Sequence, residues 1–321
     1  MWSAFRKLAD RGVLAMNRRN ADYILLHNPR RLYPLVDDKL LTKQLARRNG
    51  IAVPELYAVV QVEGQVRDLS HMLEPYKDFV IKPAHGSGGQ GILVVSERLS
   101  ERFRKHDGFL TTLDELRHHV LNIMSGLYSL GGQPDQAIVE QRVVVDPVFD
   151  DVSHQGVPDI RIIVFLGVPV MSMIRLPTRM SDGKANLHQG AIGAGIDIAT
   201  GISTSGVLGN EIITEHPDTA KSIIGLRIPY WDSLLDLSSR CFELTGLGYL
   251  GVDIVLDKNA GPLLLELNAR PGLNIQIANK AGLLPRLNCV EREGKNLATV
   301  VERIAFAKER FSPHRQLLVS L

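Results

Sequence analysis

Three oxygen-bearing side chains in the second half of the chain have the spacing of a divalent-cation site. Asp253 lies in the segment Gly-Val-Asp-Ile-Val, and Glu266 and Asn268 lie in Leu-Glu-Leu-Asn. A turn-forming segment lies midway between them, so a hairpin would place Asp253 opposite Glu266, with Asn268 on the same face as Glu266. Facing carboxylates repel unless a cation lies between them, and oxygen ligands without thiols favour Mg²⁺. The alternative interpretation is an ordinary solvated sheet face.

A glycine-rich stretch is a candidate phosphate-binding loop. It contains the pattern G-x-G-x-x-G and consists of His85, Gly86, Ser87, Gly88, Gly89, Gln90 and Gly91. A dinucleotide-binding fingerprint runs from strand to helix, whereas this stretch joins two strand-like segments, and it lacks the Lys-Ser/Thr ending of a P-loop. Glycines let backbone N–H groups approach phosphate oxygens, and Lys82 on the preceding strand supplies charge. We predict a lid over nucleotide phosphates; a plain flexible turn is the alternative.

Other polar residues stand on strands and in a loop where they need partners. They are Glu140, Gln141, Asp159, Arg161, Asn186 and His188. An arginine such as Arg161 beside a metal–phosphate site would suit a planar anion, but a structural Asp–Arg pair would give the same pattern. His188 could act as a base, although a histidine in a glycine-rich loop more often has no catalytic role.

The elements that must position these residues alternate between strands and helices. Apolar spacing predicts helices over 36–49, 231–244 and from 113 onward, with Asp37 or Asp38 and the Thr112/Glu115 box as N-terminal caps and Gly50 and Gly246 as stops. Strands are predicted at 54–62, 79–82, 92–95, 137–145, 159–166, 168–175, 249–256 and 262–267, with a long polar loop over 176–206. Strands that follow strands favour an α+β fold with antiparallel sheets over a doubly wound parallel sheet.

Composition excludes several classes of protein. The 321 residues are 45% hydrophobic and 22% charged, which fits one large or two ordinary globular domains. Cys241 and Cys289 are far apart and form no CxxC pair, which excludes a disulfide framework or zinc motif and indicates free thiols in a reducing compartment. No apolar run is long enough to span a membrane, and the first residues do not read as a signal peptide. We therefore expect a cytoplasmic protein.

The start of the chain is basic. Residues 1–48 hold eleven Lys and Arg against four Asp, whereas the remainder is acidic. This asymmetry fits either an anionic partner or a solvated surface. Nucleic acid is disfavoured because no recognised binding signature occurs. Trp2, Phe5, Leu8 and Ala9 recur at helical spacing, which predicts a small helix docked on the protein, with a membrane-surface helix or a transit peptide as the alternatives.

Eight short motifs occur in one characteristic order and spacing. Along the chain they are Asp38-Lys39-Leu-Leu-Thr-Lys, Val-Ile-Lys82-Pro, the glycine-rich loop, Val-Glu140-Gln-Arg-Val, Asp159-Ile-Arg161, Ala-Asn186-Leu-His-Gln-Gly, Gly-Val-Asp253 and Glu266-Leu-Asn268-Ala-Arg-Pro-Gly272. Together they resemble the ATP-grasp ligases over residues 36–285. The Asp-Ile-Arg and Asn-Leu-His stretches are most similar to the RimK-type α-L-glutamate ligases.

The resemblance implies an ATP-grasp fold, in which two α+β subdomains with antiparallel sheets enclose a nucleotide cleft after a short helical N-terminal extension. It places the basic segment at 1–35, the lid subdomain at 36–142 and the metal-binding subdomain at 143–321. By analogy, Lys39 and Lys82 contact the phosphates of ATP, and the loop from His85 to Gly91 closes over them. The remaining roles by analogy are adenine binding by Glu140, Gln141 and Val143, coordination of one or two Mg²⁺ (or Mn²⁺) by Asp253, Glu266 and Asn268, and catalysis beside the γ-phosphate by Arg161, Asn186 and Lys184.

The implied reaction is ATP-dependent ligation of a carboxylate to an amine through an acyl phosphate. The partners are then a small molecule or peptide with a carboxylate and an amino-acid co-substrate such as glutamate, in a protein without a membrane span that could form homo-oligomers. Lys184 stands where RimK-type enzymes have an arginine, and only a short segment precedes Lys39, so substrate identity does not carry over. A nucleotide-binding regulatory module and an ATP-grasp kinase remain the alternatives.

Overall fold

The computed structural model describes residues 7–86 and 88–312. Ser87 and the segment with Trp2 and Phe5 lie outside the described residues. The chain divides into two compact units. The smaller unit consists of Asp38–Gln44 and Val53–Val144, and the larger unit consists of the described parts of Met1–Asp37, Leu45–Ala52 and Val145–Leu321. The domain borders expected at 35 and 142 stay a prediction.

The described helices are short at the start of the chain and longer beside the sheets. In chain order they are α1 (Met16–Arg18), α2 (Leu25–His27), α3 (Pro34–Asp37), α4 (Lys39–Arg48), α5 (Leu69–Leu73), α6 (Leu113–Met124), α7 (Trp231–Thr245), α8 (Ile275–Ala278), α9 (Leu284–Cys289) and α10 (Val300–Arg310). The π-helical turns Arg19–Ile24 and Val290–Gly294 follow α1 and α9 directly.

The smaller unit is built on a six-stranded antiparallel sheet. Its strands are β1 (Leu56–Val60), β2 (Phe79–Pro83), β3 (Leu93–Leu99), β4 (Arg102–Lys105), β5 (Leu110–Thr112) and β6 (Ala137–Glu140), in the order β1-β6-β2-β3-β4-β5. β2 pairs with β3, which confirms that the glycine-rich stretch connects a hairpin. The Thr112/Glu115 capping box is also confirmed at the start of α6, whose Leu116, Val120 and Ile123 are buried in the core of this unit.

The larger unit is built on a seven-stranded antiparallel sheet. Its strands are β7 (Asp159–Phe165), β8 (Val168–Leu176), β9 (Ile192–Ile196), β10 (Ser203–Leu208), β11 (Glu211–Ile213), β12 (Tyr249–Asp257) and β13 (Gly261–Asn268), in the order β11-β10-β9-β8-β7-β12-β13. Both predicted hairpins, β7–β8 and β12–β13, are confirmed. The stop of α7 at Gly246 is confirmed as well, because Gly246 has a φ of 69°.

The prediction of one long loop over 176–206 was wrong. β9 and the first residues of β10 lie within it. The sequence of β9, Ile-Gly-Ala-Gly-Ile, has β-branched residues only at its two ends, and the glycines between them are depleted in strands. Glycine is required there for packing, since a Cβ on Gly195 would lie 2.5 Å from the carbonyl oxygen of Ala278.

The single helix predicted over 36–49 is divided in the structure. α3 ends before Asp38, whose Oδ1 accepts hydrogen bonds from the backbone N–H groups of Leu40 and Leu41 at 2.8 and 3.0 Å. Asp38 is therefore the cap of α4, one of the two residues proposed for this role. The predicted end at Gly50 is confirmed by its φ of 65°.

The two cysteines differ in their surroundings. Both are free thiols, and Cys241 is buried while Cys289, at the end of α9, is partly buried. Burial raises the pKa of Cys241 to about 12 and also raises that of Cys289. Within the described residues, no helix has the length and apolar character needed to cross a membrane.

Candidate functional site

Two buried lysines share one carboxylate in the smaller unit. Lys82 on β2 forms an ion pair with Oε1 of Glu140 on β6, and Nζ of Lys43 on α4 lies 2.7 Å from Oε2 of the same carboxylate. All three side chains are no more than 5% exposed. Antiparallel pairing of β2 with β6 brings Lys82 and Glu140 together.

The charges of this cluster do not cancel. Burial alone would raise the pKa of Glu140, but the ammonium groups of Lys82 and Lys43 hold it below its usual value. Glu140 is therefore ionised at neutral pH, and two cations face one anion. Buried charge requires a counter-charge. We call these three residues, Lys43, Lys82 and Glu140, the lysine triad. The lysine triad is consequently suited to an additional anion such as a phosphate oxygen.

The glycine-rich loop is held at its base by side chains of the same unit. Nζ of Lys39 donates to the carbonyl oxygen of Gly86. The carboxylate of Asp135, which is fully buried, lies 2.7 Å from Nδ1 of His85 and accepts a hydrogen bond from the backbone N–H of His85. The loop leaves this base through left-handed backbone at Gly88, Gly89 and Gly91.

Beyond this base, the loop packs on its neighbours through Gly91. A Cβ on Gly91 would lie 2.6 Å from the ring of Tyr128, so only glycine fits there. Gln90 continues the turn. Ser87, expected to take part in phosphate binding, lies outside the described residues.

The segment expected to receive adenine follows β6 directly. The backbone N–H of Gln141 donates to the carbonyl oxygen of Glu55 at 2.8 Å, and the side chain of Gln141 accepts from the N–H of Glu55 at 3.2 Å. Val143 is 9% exposed. These contacts fix the chain after Glu140 in an extended path, and the predicted role in adenine binding stays a prediction.

Cross-strand pairs of arginine and aspartate line the sheet of the larger unit. Arg161 on β7 stands opposite Asp253 on β12, and Asp159 stands opposite Arg175 on β8. Nε and Nη2 of Arg161 donate to the two carboxylate oxygens of Asp253 at 2.7 and 2.5 Å. Arg175 forms a bidentate pair with Asp159 and also reaches Asp253 at 3.0 Å. The four residues form one network, which we call the arginine–aspartate network.

Burial and the neighbouring arginines shift the pKa values of the two carboxyl groups of this network in opposite directions. Burial would raise the pKa of Asp253, but Arg161 and Arg175 hold it below its usual value. Burial raises the pKa of Asp159 to about 6, with Arg175 opposing and the neighbouring Asp253 adding to the rise. Asp253 is therefore the carboxylate that stays charged most firmly.

Glu266 and Asn268 stand beside Asp253 as the sequence predicted. The register Asp253–Glu266 is confirmed, and Nδ2 of Asn268 donates to Oδ2 of Asp253 at 3.2 Å. A β-bulge after this pair accommodates one additional residue in β13. The three residues supply oxygen donors from one end of a strand pair.

The fit of this donor set to Mg²⁺ depends on ligands from outside the protein. Among the described residues, no group of three or more His, Cys, Asp and Glu could hold a metal ion. Two carboxylates and an amide would therefore need phosphate oxygens and water to complete an octahedral shell, which is how Mg²⁺ is usually held in nucleotide sites. The roles of Asp253, Glu266 and Asn268 as metal ligands stay a prediction.

A small cavity of about 50 Å³ opens beside the network. Its lining residues are Arg161, Met173, Arg175, Asn186, Leu187, His188, Gly272 and Asn274. The structure therefore brings together Arg161 and Asn186, two of the three residues predicted to be catalytic. Lys184, the third, is not among the lining residues, and its side chain is 49% exposed and 3.7 Å from Asp182.

Three residues that sequence reasoning missed belong to these clusters. Lys43 completes the lysine triad, Asp135 orients His85, and Arg175 joins Asp159 to Asp253. Lys43 left a usable signal, because it follows Lys39 by one helical turn and so lies on the same helix face. Arg175 left one as well, because the predicted hairpin places it opposite Asp159. Asp135 lies just before β6, and its local sequence does not reveal its contact with His85.

The protein is an ATP-grasp protein, as the sequence resemblance implied. The chain belongs to the family described as "Sugar-transfer associated ATP-grasp", which matches residues 18–292.

Individual relatives are more distant. A protein of Maridesulfovibrio salexigens named "Probable alpha-L-glutamate ligase" is 26% identical over 236 residues, which cover 74% of this chain and 56% of that protein. This chain thus matches little more than half of that relative's length.

Among solved structures, the ATP-grasp ligase PsnB complexed with minimal precursor is 15% identical, with a TM-score of 0.45 over 83% of this chain and 63% of that one. D-alanine–D-alanine ligase from Bacillus anthracis complexed with ATP is 14% identical, with a TM-score of 0.42 over 87% and 66%. The family membership rests on the sequence match over residues 18–292.

Proposed function

We propose that the protein is an ATP- and Mg²⁺-dependent ligase that joins a carboxylate to an amine and releases ADP and phosphate. The observation that carries this proposal is the cation surplus of the lysine triad, in which Lys43 and Lys82 share the single carboxylate of Glu140; the larger unit, taken by itself, supplies a carboxylate–amide set on β12 and β13. Phosphoryl transfer depends mainly on positioning and charge neutralisation, and these are the two functions that such residues supply.

Each group has a definite task in the proposed reaction. Lys82 and Lys43 would hold phosphate oxygens of ATP, while Lys39 and the His85–Asp135 pair keep the base of the glycine-rich loop in place above them. Asp253, Glu266 and Asn268 would hold Mg²⁺, which neutralises charge on the phosphate oxygens. Arg161 and Asn186 would face the γ-phosphoryl group at the cavity beside the network.

Covalent bonds would form and break on the substrates. A carboxylate oxygen attacks the γ-phosphorus and ADP leaves, which gives an acyl phosphate. The amine nitrogen then attacks the acyl carbon, phosphate leaves, and the amine loses a proton as the amide forms. No side chain needs to act as a nucleophile in either step, which fits a site built from arginines, lysines and carboxylates.

The substrate class follows from the relatives. The α-L-glutamate ligase similarity favours an amino acid as the amine. The family description refers to sugar transfer, so sugars that carry a carboxylate or an amino group belong among the candidate acceptors.

The test is a screen for ADP release with ATP and Mg²⁺ and pairs of amino acids, peptides, uronic acids and amino sugars, with mass spectrometry of the product. We expect an amide with at least one pair. A phosphate ester without an amide would indicate a kinase. ATP binding by calorimetry without turnover for any pair would indicate a regulatory nucleotide-binding module.

Two variants separate the proposed tasks. Lys82→Met should weaken ATP binding by about tenfold to a hundredfold, the effect of losing a hydrogen bond to a charged group. Its control is Lys258→Met in the exposed turn between β12 and β13. Glu266→Gln should abolish Mg²⁺-dependent turnover while the protein stays folded, with the exposed Glu211→Gln as control. A Glu266→Gln variant with full, Mg²⁺-responsive turnover would overturn the metal assignment.

A further inference from the structure

A second cavity in the larger unit has no part in the proposed reaction. Its volume is about 250 Å³, which suits a small metabolite, and it is lined by Asp197, Thr204, Ser205, Asn279, Lys280, Ala281 and Arg286. The lining residues come from the β9–β10 turn, from β10 and from the segment between α8 and α9. Nearly all of them are polar or charged.

Arg286 on α9 is incompletely satisfied. Its Nη1 donates to the carbonyl oxygen of Val170 at 2.7 Å, and its guanidinium lies over the ring of Phe311, 5.3 Å from the centroid. Nε is buried and has no hydrogen-bond partner among the described residues. A guanidinium offers five donors in a planar fork, and one N–H group of Arg286 is bound to a carbonyl oxygen. Because Arg286 lines the cavity, an anion there would pair with its guanidinium.

The charges around Arg286 also favour an anion as the ligand of this cavity. Burial lowers the pKa of Arg286 to about 10, and Asp197 opposes this effect from a distance. The carboxylate of Asp197 is already used within its own turn, where it accepts from Thr200 Oγ1 at 2.6 Å and from the N–H of Ala199 at 3.2 Å. It therefore does not form a close ion pair that would neutralise Arg286.

Lys280 adds a second positive charge at this cavity. It is exposed, and its backbone is left-handed, with a φ of 51°, a conformation that a non-glycine residue rarely adopts. No ion pair of Lys280 is found in the part of the chain that the structure describes. Thr204 and Ser205 also line the cavity, with their hydroxyl groups donating to the carbonyl oxygens of Gly195 and Ala278. The cavity thus combines the fork of Arg286 with a surface cation.

We propose that this cavity is a binding site for a small molecule bearing a carboxylate or phosphate group, held by Arg286 and Lys280. The site is separate from the cavity beside the arginine–aspartate network, since the two have no lining residue in common. The short helix α8 connects them, because Gly272 and Asn274 before it line one cavity and Asn279 after it lines the other.

The test is calorimetry with inorganic phosphate and with succinate as two separate probes, at millimolar concentration. We expect one of them to bind, and the choice between them tells phosphate from carboxylate. Arg286→Met should weaken that binding by about tenfold or more, because a charged hydrogen bond is lost. Lys280→Gln should weaken it by up to about fivefold, because an exposed charge contributes less. Arg292→Met, an exposed arginine six residues after Arg286, should leave it unchanged.

Two further measurements keep the outcome decisive. Lys280 is on the surface, so Lys280→Gln remains informative if Arg286→Met does not fold. Hydrogen exchange should show that the probe protects amides within 275–286. Failure of both probes to bind the wild-type protein, equal binding by all three variants, or protection confined to the glycine-rich loop would overturn the proposal. None of these results bears on the ligase assay, so failure here is distinct from failure of the proposed function.

Discussion

The lysine triad and the arginine–aspartate network are both buried charge clusters formed by antiparallel strand pairing, but their surplus charges are opposite. The triad has two cations and one carboxylate. The network has two guanidinium groups and two carboxylates, and Glu266 adds a further negative charge near Arg175. The first is therefore suited to anions and the second to a cation. The cluster suited to anions contains lysines, and the cluster suited to a cation contains arginines.

Lysine and arginine differ in how firmly they fix a carboxylate. Each ammonium group of the triad makes a single contact with Glu140, whereas each guanidinium group holds an aspartate in a bidentate fork. In the network, Arg175 contacts two carboxylates, so the loss of one leaves it a partner. In the triad, Lys43 also donates to the carbonyl oxygen of Pro54 at 3.2 Å, but Glu140 is the one carboxylate that both lysines share. The triad should thus be the more sensitive of the two to the loss of one acid.

The largest effect is expected for Glu140→Gln. The change leaves two buried ammonium groups without their shared carboxylate, and we expect the free energy of unfolding to fall by about 5 kcal/mol, the upper end for a broken buried pair. Urea unfolding measures it. The control Glu63→Gln, at an exposed glutamate of the same unit, should change stability by less than about 0.5 kcal/mol. A loss of under 1 kcal/mol for Glu140→Gln would contradict the idea that both lysines depend on it.

A smaller loss, about 3 kcal/mol, is expected for Asp253→Asn, because Arg175 keeps Asp159 as a partner and only Arg161 is left without an ionised acceptor. Urea unfolding again reports the change. Asp22→Asn, which removes an exposed pair with Arg18, is the matched control and should cost at most about 1 kcal/mol. If Asp253→Asn proved more damaging than Glu140→Gln, the comparison between single and shared contacts would be reversed.

The pH dependence of the triad follows from the low pKa of Glu140. Since this pKa is lower in the folded protein than in the unfolded chain, the folded state gains stability above the usual glutamate pKa and loses it as the pH falls through the folded value. The stability difference between the wild-type protein and Glu140→Gln should therefore shrink when unfolding is measured at progressively lower pH below about 4.5. A difference that stays constant down to acid pH would show that the carboxylate is not held ionised by its lysines.

The smallest effect is expected from the titration of Asp159, whose pKa is shifted in the direction opposite to that of Glu140. Its pKa of about 6 lies above that of an unfolded aspartate, so the stability associated with its protonated form is complete at low pH and is lost as the pH rises through 6. Carbon-detected NMR of the side-chain carboxyl should show a midpoint near 6 in the wild-type protein. A midpoint below 4 would mean that the fork of Arg175 outweighs burial.

The sequence predicted the order of the site residues along the chain more fully than the contacts between them. The Asp253–Glu266 register could be derived because both residues flank one short turn, and the hairpin around the glycine-rich loop followed from two strand-like runs. The contact of Lys43 with Glu140 and that of Arg175 with Asp253 could not be derived, since these partners lie on strands distant in sequence. β9 was missed because its glycines serve the packing of Ala278, a contact that propensity does not contain.

For the two lysines of α4, the predicted roles differ from the observed contacts. Lys39 was expected at the phosphates, and it holds the carbonyl oxygen of Gly86, while Lys43 stands beside Lys82. Both lysines lie on one face of α4, so the pattern alone could not tell which of them reaches Glu140. The distinction depends on where the helix begins, and Asp38 determines that position by capping it.

The contrast between the two cysteines has a practical consequence for spectroscopy. Cys241 is buried with a pKa of about 12, so a maleimide at mildly alkaline pH should modify Cys289 alone. Cys289 lies three residues after Arg286, at the end of the same helix α9. A fluorophore on this native thiol would therefore sit close to the second cavity and report its occupancy as a change in emission, without an engineered labelling site.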